Sequence, residues 1–327
     1  MSVLSASYGQ LTRLRRSWYE RHPQAQRTLE CPVISVGNLS VGGSGKTPIV
    51  ATLARLLLEM GKRPAVLSRG YARRQATDGV VVVSDGGRVL EPVEHSGDEP
   101  QMLARALTGV PVLVCPDRHL AGRLAERKFG CNVVLLDDGF QHLPLGREVD
   151  LLVMPAADLD EAVLPSGRLR EPLDCASSAD CILVPGSADD VARVAAAFDR
   201  MPVVRVSHHY ERLRRMDGAP EAGPGTRVVA VAGIARPGRF FDALRAQGYE
   251  VVRELSFPDH HWYTKNDFEK VSEAVRATGP DLVATTEKDA VRLPRQIPWT
   301  VLPMTAAIEP ADTRARAPFA RWLEDRL

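Results

Sequence analysis

Between Cys31 and Pro185, short apolar runs alternate with amphipathic ones. The runs CPVISVG, PAVLSRG, VPVLVC, CNVVLLDD, DLLVMP and CILVPG are rich in Val, Ile and Leu and bounded by Gly, Pro or Asp, as buried strands are. TPIVATLARLLLEMG and DRHLAGRLAERKFG between them place apolar residues three and four apart, the helical spacing. VVVVSDGGRVL predicts a hairpin turning at Asp85, Gly86 and Gly87. Periodicity fades and Pro and Gly accumulate at HHYERLRRMDGAPEAGPGTR, which predicts a linker over residues 206–225. The same grammar then resumes with RVVAVAGI, FFDALRAQG, YEVVRELSF, DFEKVSEAVRATG, DLVATTEKD and WTVLPM. The expected class is α/β: a mostly parallel sheet domain over 29–205 and a smaller α/β domain over 226–327.

Residues 1–28 read differently. Leu4, Tyr8, Leu11, Leu14, Trp18 and Tyr19 stand among Arg13, Arg15, Arg16 and Arg21, a pattern that suits a helix lying on an anionic membrane surface. A helix packed on its own domain with solvated arginines fits the same letters. No run reaches the ~18 apolar residues that span a bilayer, and no apolar signal core opens the chain.

Charge is balanced over the 327 residues, with 42 Lys and Arg against 41 Asp and Glu, so no basic field of the nucleic-acid-binding kind exists and nucleic acid is excluded as a partner. The five cysteines have no metal-ligand spacing, which leads us to expect buried thiols, with neither zinc nor disulfides.

The chemistry concentrates at SVGNLSVGGSGKTPIVATLARLL. A strand leads into Gly42, Gly43, Ser44 and Gly45, followed by Lys46 and Thr47 at the start of a helix. Backbone N–H groups, a lysine and a hydroxyl in this order form a phosphate loop with a place for Mg²⁺. The strict pattern asks for Gly where Ser40 stands; Gly42, two residues on, supplies the flexibility instead. Asp137 and Asp138 end the run CNVVLLDD, where an open α/β sheet presents metal-binding carboxylates.

Eight stretches, VGNLSVGGSGKTP, LSRGYARR, SGDEPQMLAR, PDRHLAG, LLDDGFQH, LPSGRLREP, FPDHHWYT and TTEKDAVRL, lie in order between residues 36 and 293. Together they resemble the tetraacyldisaccharide 4'-kinases, which phosphorylate the lipid A precursor of Gram-negative bacteria. That family has Ser or Thr where Ser40 stands. The resemblance implies a P-loop NTPase-like domain and a smaller α/β domain joined by a β-ribbon linker. It implies transfer of the γ-phosphate of ATP to the 4'-hydroxyl of tetraacyldisaccharide 1-phosphate, by a peripheral or monotopic enzyme at the cytoplasmic face of the inner membrane, with no obligate protein partner evident.

It also assigns roles. Asp98 resembles the catalytic base and His260 its orienting partner; Asp98 read without the resemblance is sooner a helix cap, and the two roles can coexist. Thr47, Asp138, Asp137 and Glu99 are expected around Mg²⁺, with Gly42, Gly43, Ser44, Gly45, Lys46 and Thr47 on ATP. Arg69, Tyr71, Arg118, Gln141 and His142 are expected on the acceptor. Since Asp98 and His260 fall in different domains, closure upon substrate follows. The TTEKD stretch, with Lys288, has no derivable task. Two other readings remain compatible with the loop alone: a partner-stimulated ATPase switch or chaperone, and a membrane-associated nucleotide-binding scaffold without turnover.

Overall fold

A computed structural model describes residues 2–43, 45–75, 77–216, 223–294, 298–309 and 318–327. The larger unit follows the order α1 (Val3–Arg21), β1 (Val33–Gly37), α2 (Lys46–Glu59), β2 (Pro64–Ser68), β3 (Val81–Asp85), α3 (Val93–Ser96), α4 (Asp98–Ala106), β4 (Pro111–Val114), α5 (Arg118–Phe129) and β5 (Val133–Asp137). It continues through β6 (Val149–Val153), β7 (Cys181–Pro185), α6 (Ala188–Ala197) and β8 (Val203–Tyr210). The smaller unit comprises β9 (Arg214–Arg215), β10 (Arg227–Ala232), α7 (Pro237–Ala246), β11 (Glu250–Ser256), α8 (Lys265–Thr278), β12 (Leu282–Thr286), α9 (Glu287–Ala290) and β13 (Trp299–Leu302). Finally β14 (Met304–Ile308) and α10 (Phe319–Glu324) return to the larger unit.

Strands β8, β7, β6, β1, β5, β2 and β4 run parallel in that spatial order, and β14 and β3 flank them antiparallel as edges. The parallel strands must bury both faces, which is why they carry apolar runs instead of alternation. On one face α2 inserts Ile49, Val50, Leu53 and Leu57, all fully buried. Each such side chain contributes about 2 kcal/mol by leaving water. The other face takes Ala121 and Ala125 of α5 against Leu67, Leu113 and Leu136. α5 is fixed at its start by Asp117, whose side chain accepts from the Leu120 amide, and ends at the left-handed Gly130. The second sheet, ordered β11-β10-β12-β13-β9, packs Phe240, Phe241 and Leu244 on one face and Val271 and Trp299 on the other.

The α/β class matches expectation, and four details differ from the sequence reading. The chain does turn back at Asp85–Gly87, with Ser84 bridged to Val89 and the Leu90 amide donating to the Val83 carbonyl at 2.8 Å, but the returning segment forms no named strand and the sheet partner of β3 is β4. Part of the expected linker, residues 206–210, is the end of β8, while residues 217–222 lie outside those described. Residues 304–308 and 319–324, expected in the smaller unit, belong with the larger one: β14 pairs with β8, and Phe319, Trp322 and Leu323 join the core over α2. The chain thus leaves the large sheet along β8 and re-enters along β14. In α1, Arg16 is not solvated but buried.

Candidate active site

β1 lies between β5 and β6, so the loop after β1 opens at the carboxyl edge of the sheet, with Asp137 in register beside Val36. Gly42 and Gly45 take left-handed φ of 93° and 75°, and Gly45 caps α2. Gly45 tolerates no side chain for a second reason: a Cβ there would sit 2.6 Å from the His208 ring. Ser40 forms an extended bridge to Leu169, and its hydroxyl donates to buried Asp158 at 2.8 Å. The position needs a hydroxyl anchor and no left-handed turn. Ser44 lies outside the described residues.

Lys46 reaches Asn38 Oδ1 at 2.8 Å and Asp138 Oδ1 at 3.3 Å. Arg170 grips both oxygens of Asp138, at 2.8 and 2.9 Å, and donates to the Asn38 carbonyl at 2.9 Å. Burial pushes the Asp138 carboxyl upward, but Lys46 and Arg170 outweigh it and hold the group well below the usual carboxylate range. Asp137, sealed at the strand end, is instead pushed up to about 7 by burial, with Asp138 and Glu99 adding to the rise and Lys46 opposing it. Two adjacent carboxylates therefore differ strongly in proton affinity. Thr47 and Pro48 line a cavity of about 400 Å³ between the two units, shared with Met102, Glu211, Arg214 and Glu287.

Asp98 occupies the first turn of α4, while Gly97 (φ 87°) holds the cap position. The Asp98 carboxylate does not turn back to cap its helix. Its Oδ2 meets Nδ1 of His260, from the other unit, at 2.8 Å, and its Oδ1 lies 3.4 Å from Nε of fully buried Arg292. His261 points elsewhere, bonding Asp267 at 2.9 Å and stacking on Phe257. Glu99 pairs with Lys288 at 2.9 Å, and the Tyr71 ring stands edge-on to His260, 5.6 Å between centroids. Among the described residues, Ala72, Asp138 and His260 have left-handed φ without being glycine, and all three lie here. Each such conformation costs roughly 1–2 kcal/mol, strain of the kind that collects at functional sites.

A second group lies beside the aspartates. Arg118 is buried, and burial together with neighbouring Arg69 pulls it down to about 10. His142 is pushed down to about 4 by burial, with Arg118 and Arg147 assisting. Gln141 donates to the Asn38 carbonyl at 3.0 Å. Arg118 Nε, Gln141 Oε1 and His142 Nε2 are buried without a protein hydrogen-bond partner. Such orphaned groups cost about 1–3 kcal/mol each, which a polar ligand would recover.

Sequence reasoning did not assign Asn38, Arg170, Lys288 or Arg292 to the site. Each stands inside one of the eight stretches, in VGN, GRLRE and TTEKDAVR, and that was the available signal.

Fold and site together define a nucleotide-dependent phosphotransferase of the phosphate-loop class. The sequence model of the family described as tetraacyldisaccharide-1-P 4'-kinase matches residues 1–323. The tetraacyldisaccharide 4'-kinase of Geobacter metallireducens is 41% identical over 301 residues, 90% of this chain and 88% of that protein. That of Koribacter versatilis is 40% identical over 300 residues, again 90% and 88%. The crystal structure of LpxK from Aquifex aeolicus in complex with ATP superimposes with a TM-score of 0.81 at 31% identity, covering 99% of this chain and 97% of that one. The chain belongs to the tetraacyldisaccharide-1-P 4'-kinase family, and it is a kinase acting in lipid A biosynthesis.

Proposed function

We propose that this kinase transfers the γ-phosphate of ATP to the 4'-hydroxyl of tetraacyldisaccharide 1-phosphate, with Asp98 as base and His260 as its orienting partner. The observation that carries the reading is the 2.8 Å contact between Asp98 and His260, two residues 162 apart in sequence, formed across the two units on the sheet edge that bears the phosphate loop.

The loop amides of Gly42, Gly43, Ser44 and Gly45, with Lys46, hold the phosphates of ATP. Thr47, Asp138, Asp137 and Glu99 would hold Mg²⁺; bound there, the ion would supply neutralisation of the charge on the phosphates. The donor set fits, because hydroxyl and carboxylate oxygens suit a hard cation, and a cation beside Asp137 would offset the burial that now raises it to about 7. In the reaction the 4'-oxygen attacks the γ-phosphorus while Asp98 accepts its proton, and the bond to ADP breaks. Positioning carries most of the rate, so the two units must be closed for turnover. Arg118, Gln141 and His142, with their unpartnered polar atoms, and Arg69 and Tyr71 at the rim, receive the phosphate and hydroxyls of the disaccharide.

Helix α1 carries the membrane contact. It packs on its own unit through Ser5, Gly9 and Arg16, and at 100° per residue Leu4, Leu11, Leu14 and Trp18 fall on the opposite side, all exposed. That face, edged by Arg15 and Arg21, suits the anionic inner surface of the inner membrane. No helix among the described residues is long and apolar enough to cross a membrane.

The test is label transfer from γ-labelled ATP to tetraacyldisaccharide 1-phosphate in mixed micelles, with the labelled position mapped chemically. Label at the 4'-position is expected. Release of free phosphate without labelled lipid would refute the reading and favour an ATPase switch.

A further inference from the structure

The stretch TTEKDAVRL places Lys288 in α9, with its ammonium in the middle of the Asp98–His260 site. Three acceptors surround Nζ: Glu99 Oε1 at 2.9 Å, Asp259 Oδ1 at 3.1 Å and His260 Nε2 at 3.2 Å. An ammonium has three hydrogens and no lone pair, so each acceptor receives one. Burial weighs against the charge, but Glu99 and Asp259 more than offset it and hold the Lys288 pKa above its ordinary value.

The consequence falls on His260. A nitrogen that accepts from an ammonium carries no hydrogen, so Nε2 is the lone-pair nitrogen and Nδ1 bears the proton it donates to Asp98 Oδ2. The opposite tautomer would set lone pair against carboxylate at 2.8 Å and N–H against ammonium at 3.2 Å. We propose that Lys288 is a positioning residue of the kinase: it fixes His260 in the Nδ1–H tautomer that holds Asp98. This inference rests on the reading of Asp98 as base. Lys288, Asp259 and His260 all belong to the smaller unit, so the imidazole is set there, and the contacts of Lys288 with Glu99 and of His260 with Asp98 deliver it to the larger unit when the two are together. Arg292 plays the companion part on the other Asp98 oxygen, itself held by Asp289 at 2.9 Å, whose carboxylate accepts from the Gly233 amide and the Tyr263 hydroxyl.

The experiment uses the full chain in detergent with ¹⁵N-labelled histidine. In the wild type the His260 signals, assigned by loss in His260→Ala, should show Nδ1 protonated and Nε2 unprotonated; in Lys288→Met this preference should be lost. kcat should fall about 10- to 100-fold in Lys288→Met with KM for ATP within about twofold, the scale of outer-shell and wrong-tautomer lesions. Lys288→Arg, which keeps a cation without a lone pair, should retain the tautomer and recover part of kcat. In a His260→Ala background, Lys288→Met should cost no more than about twofold, because its effect runs through the imidazole. An unchanged His260 tautomer in Lys288→Met, or the same loss with and without His260, would overturn the inference. Wild-type kcat in His260→Ala would instead overturn the underlying reading of the Asp98–His260 pair, so the two failures are distinguishable.

Discussion

Replacing Arg16 with Met tests how α1 is held. Arg16 is 4% exposed, and its guanidinium bonds Glu171 Oε2 at 2.6 and 3.0 Å, donates to the Phe140 carbonyl at 3.0 Å and lies 4.1 Å from the Phe140 ring centroid. Removing one partner of such a buried pair costs about 3–5 kcal/mol, because the other charge stays buried and uncompensated. The other polar ties of α1 are more exposed and weaker: Ser5 and Ser166 exchange hydrogen bonds, Arg13 meets Asp174, Arg15 donates to the Gln141 carbonyl, and Glu20 accepts from the Ser178 hydroxyl. The docking equilibrium of the helix should therefore fall about 10²- to 10⁴-fold, read as faster amide exchange over residues 3–21. The loss should depend on pH. Burial already raises the Glu171 pKa, with Arg16 opposing, and without Arg16 it must rise further. A carboxyl raised in the docked state binds its proton more tightly there than in the undocked one. Docking in Arg16→Met should then weaken as pH climbs from the ordinary carboxylate value of about 4.3 through the raised one, after correction for intrinsic exchange rates. Adding Glu171→Leu should restore most of the protection and flatten the pH dependence. Protection in Arg16→Met within about threefold of wild type, or a double variant no better than the single, would refute the reasoning.

Ser40→Ala should lower stability by about 1–3 kcal/mol by leaving the buried Asp158 oxygen without its donor, measured by denaturant unfolding; a change under 0.5 kcal/mol would contradict the anchor role. Because burial raises Asp137 to about 7, the nucleotide-free protein should lose stability as pH rises from about 4 to 7, and Asp137→Asn should remove that component of the slope while abolishing turnover. Replacing exposed Leu11 and Leu14 by Glu should reduce sedimentation with anionic vesicles at least fivefold while leaving ATP affinity unchanged; equal sedimentation would contradict the membrane role of α1.

The α/β class, the loop at Gly42–Thr47 and the aspartates at the end of β5 were legible because each is a local pattern, a period or a spacing within one segment. The position of Ser40 was legible too, though its reason was not: the hydroxyl serves Asp158, 118 residues away. Ion pairs escaped for the same cause. Arg16 looked like any solvated arginine on a basic helix, and Glu171, which buries it, lies 155 residues on. The return of β14 to β8 was hidden because short edge strands such as Met304–Ile308 carry little apolar signal, and their pairing is decided by neighbours distant in sequence. Lys288 and Arg292 stood in a motif that could be recognised but not interpreted, since their task exists only once the smaller unit faces Asp98.

The central claim, that Asp98 and His260 act as one device across the two units, is tested most directly by kcat for phosphate transfer to the disaccharide in Asp98→Ala, His260→Ala and the double variant. The account predicts a loss of at least about 10²-fold in Asp98→Ala and no more than about threefold further loss in the double variant than in Asp98→Ala alone. Losses that multiply, or an Asp98→Ala enzyme with near wild-type kcat, would contradict it.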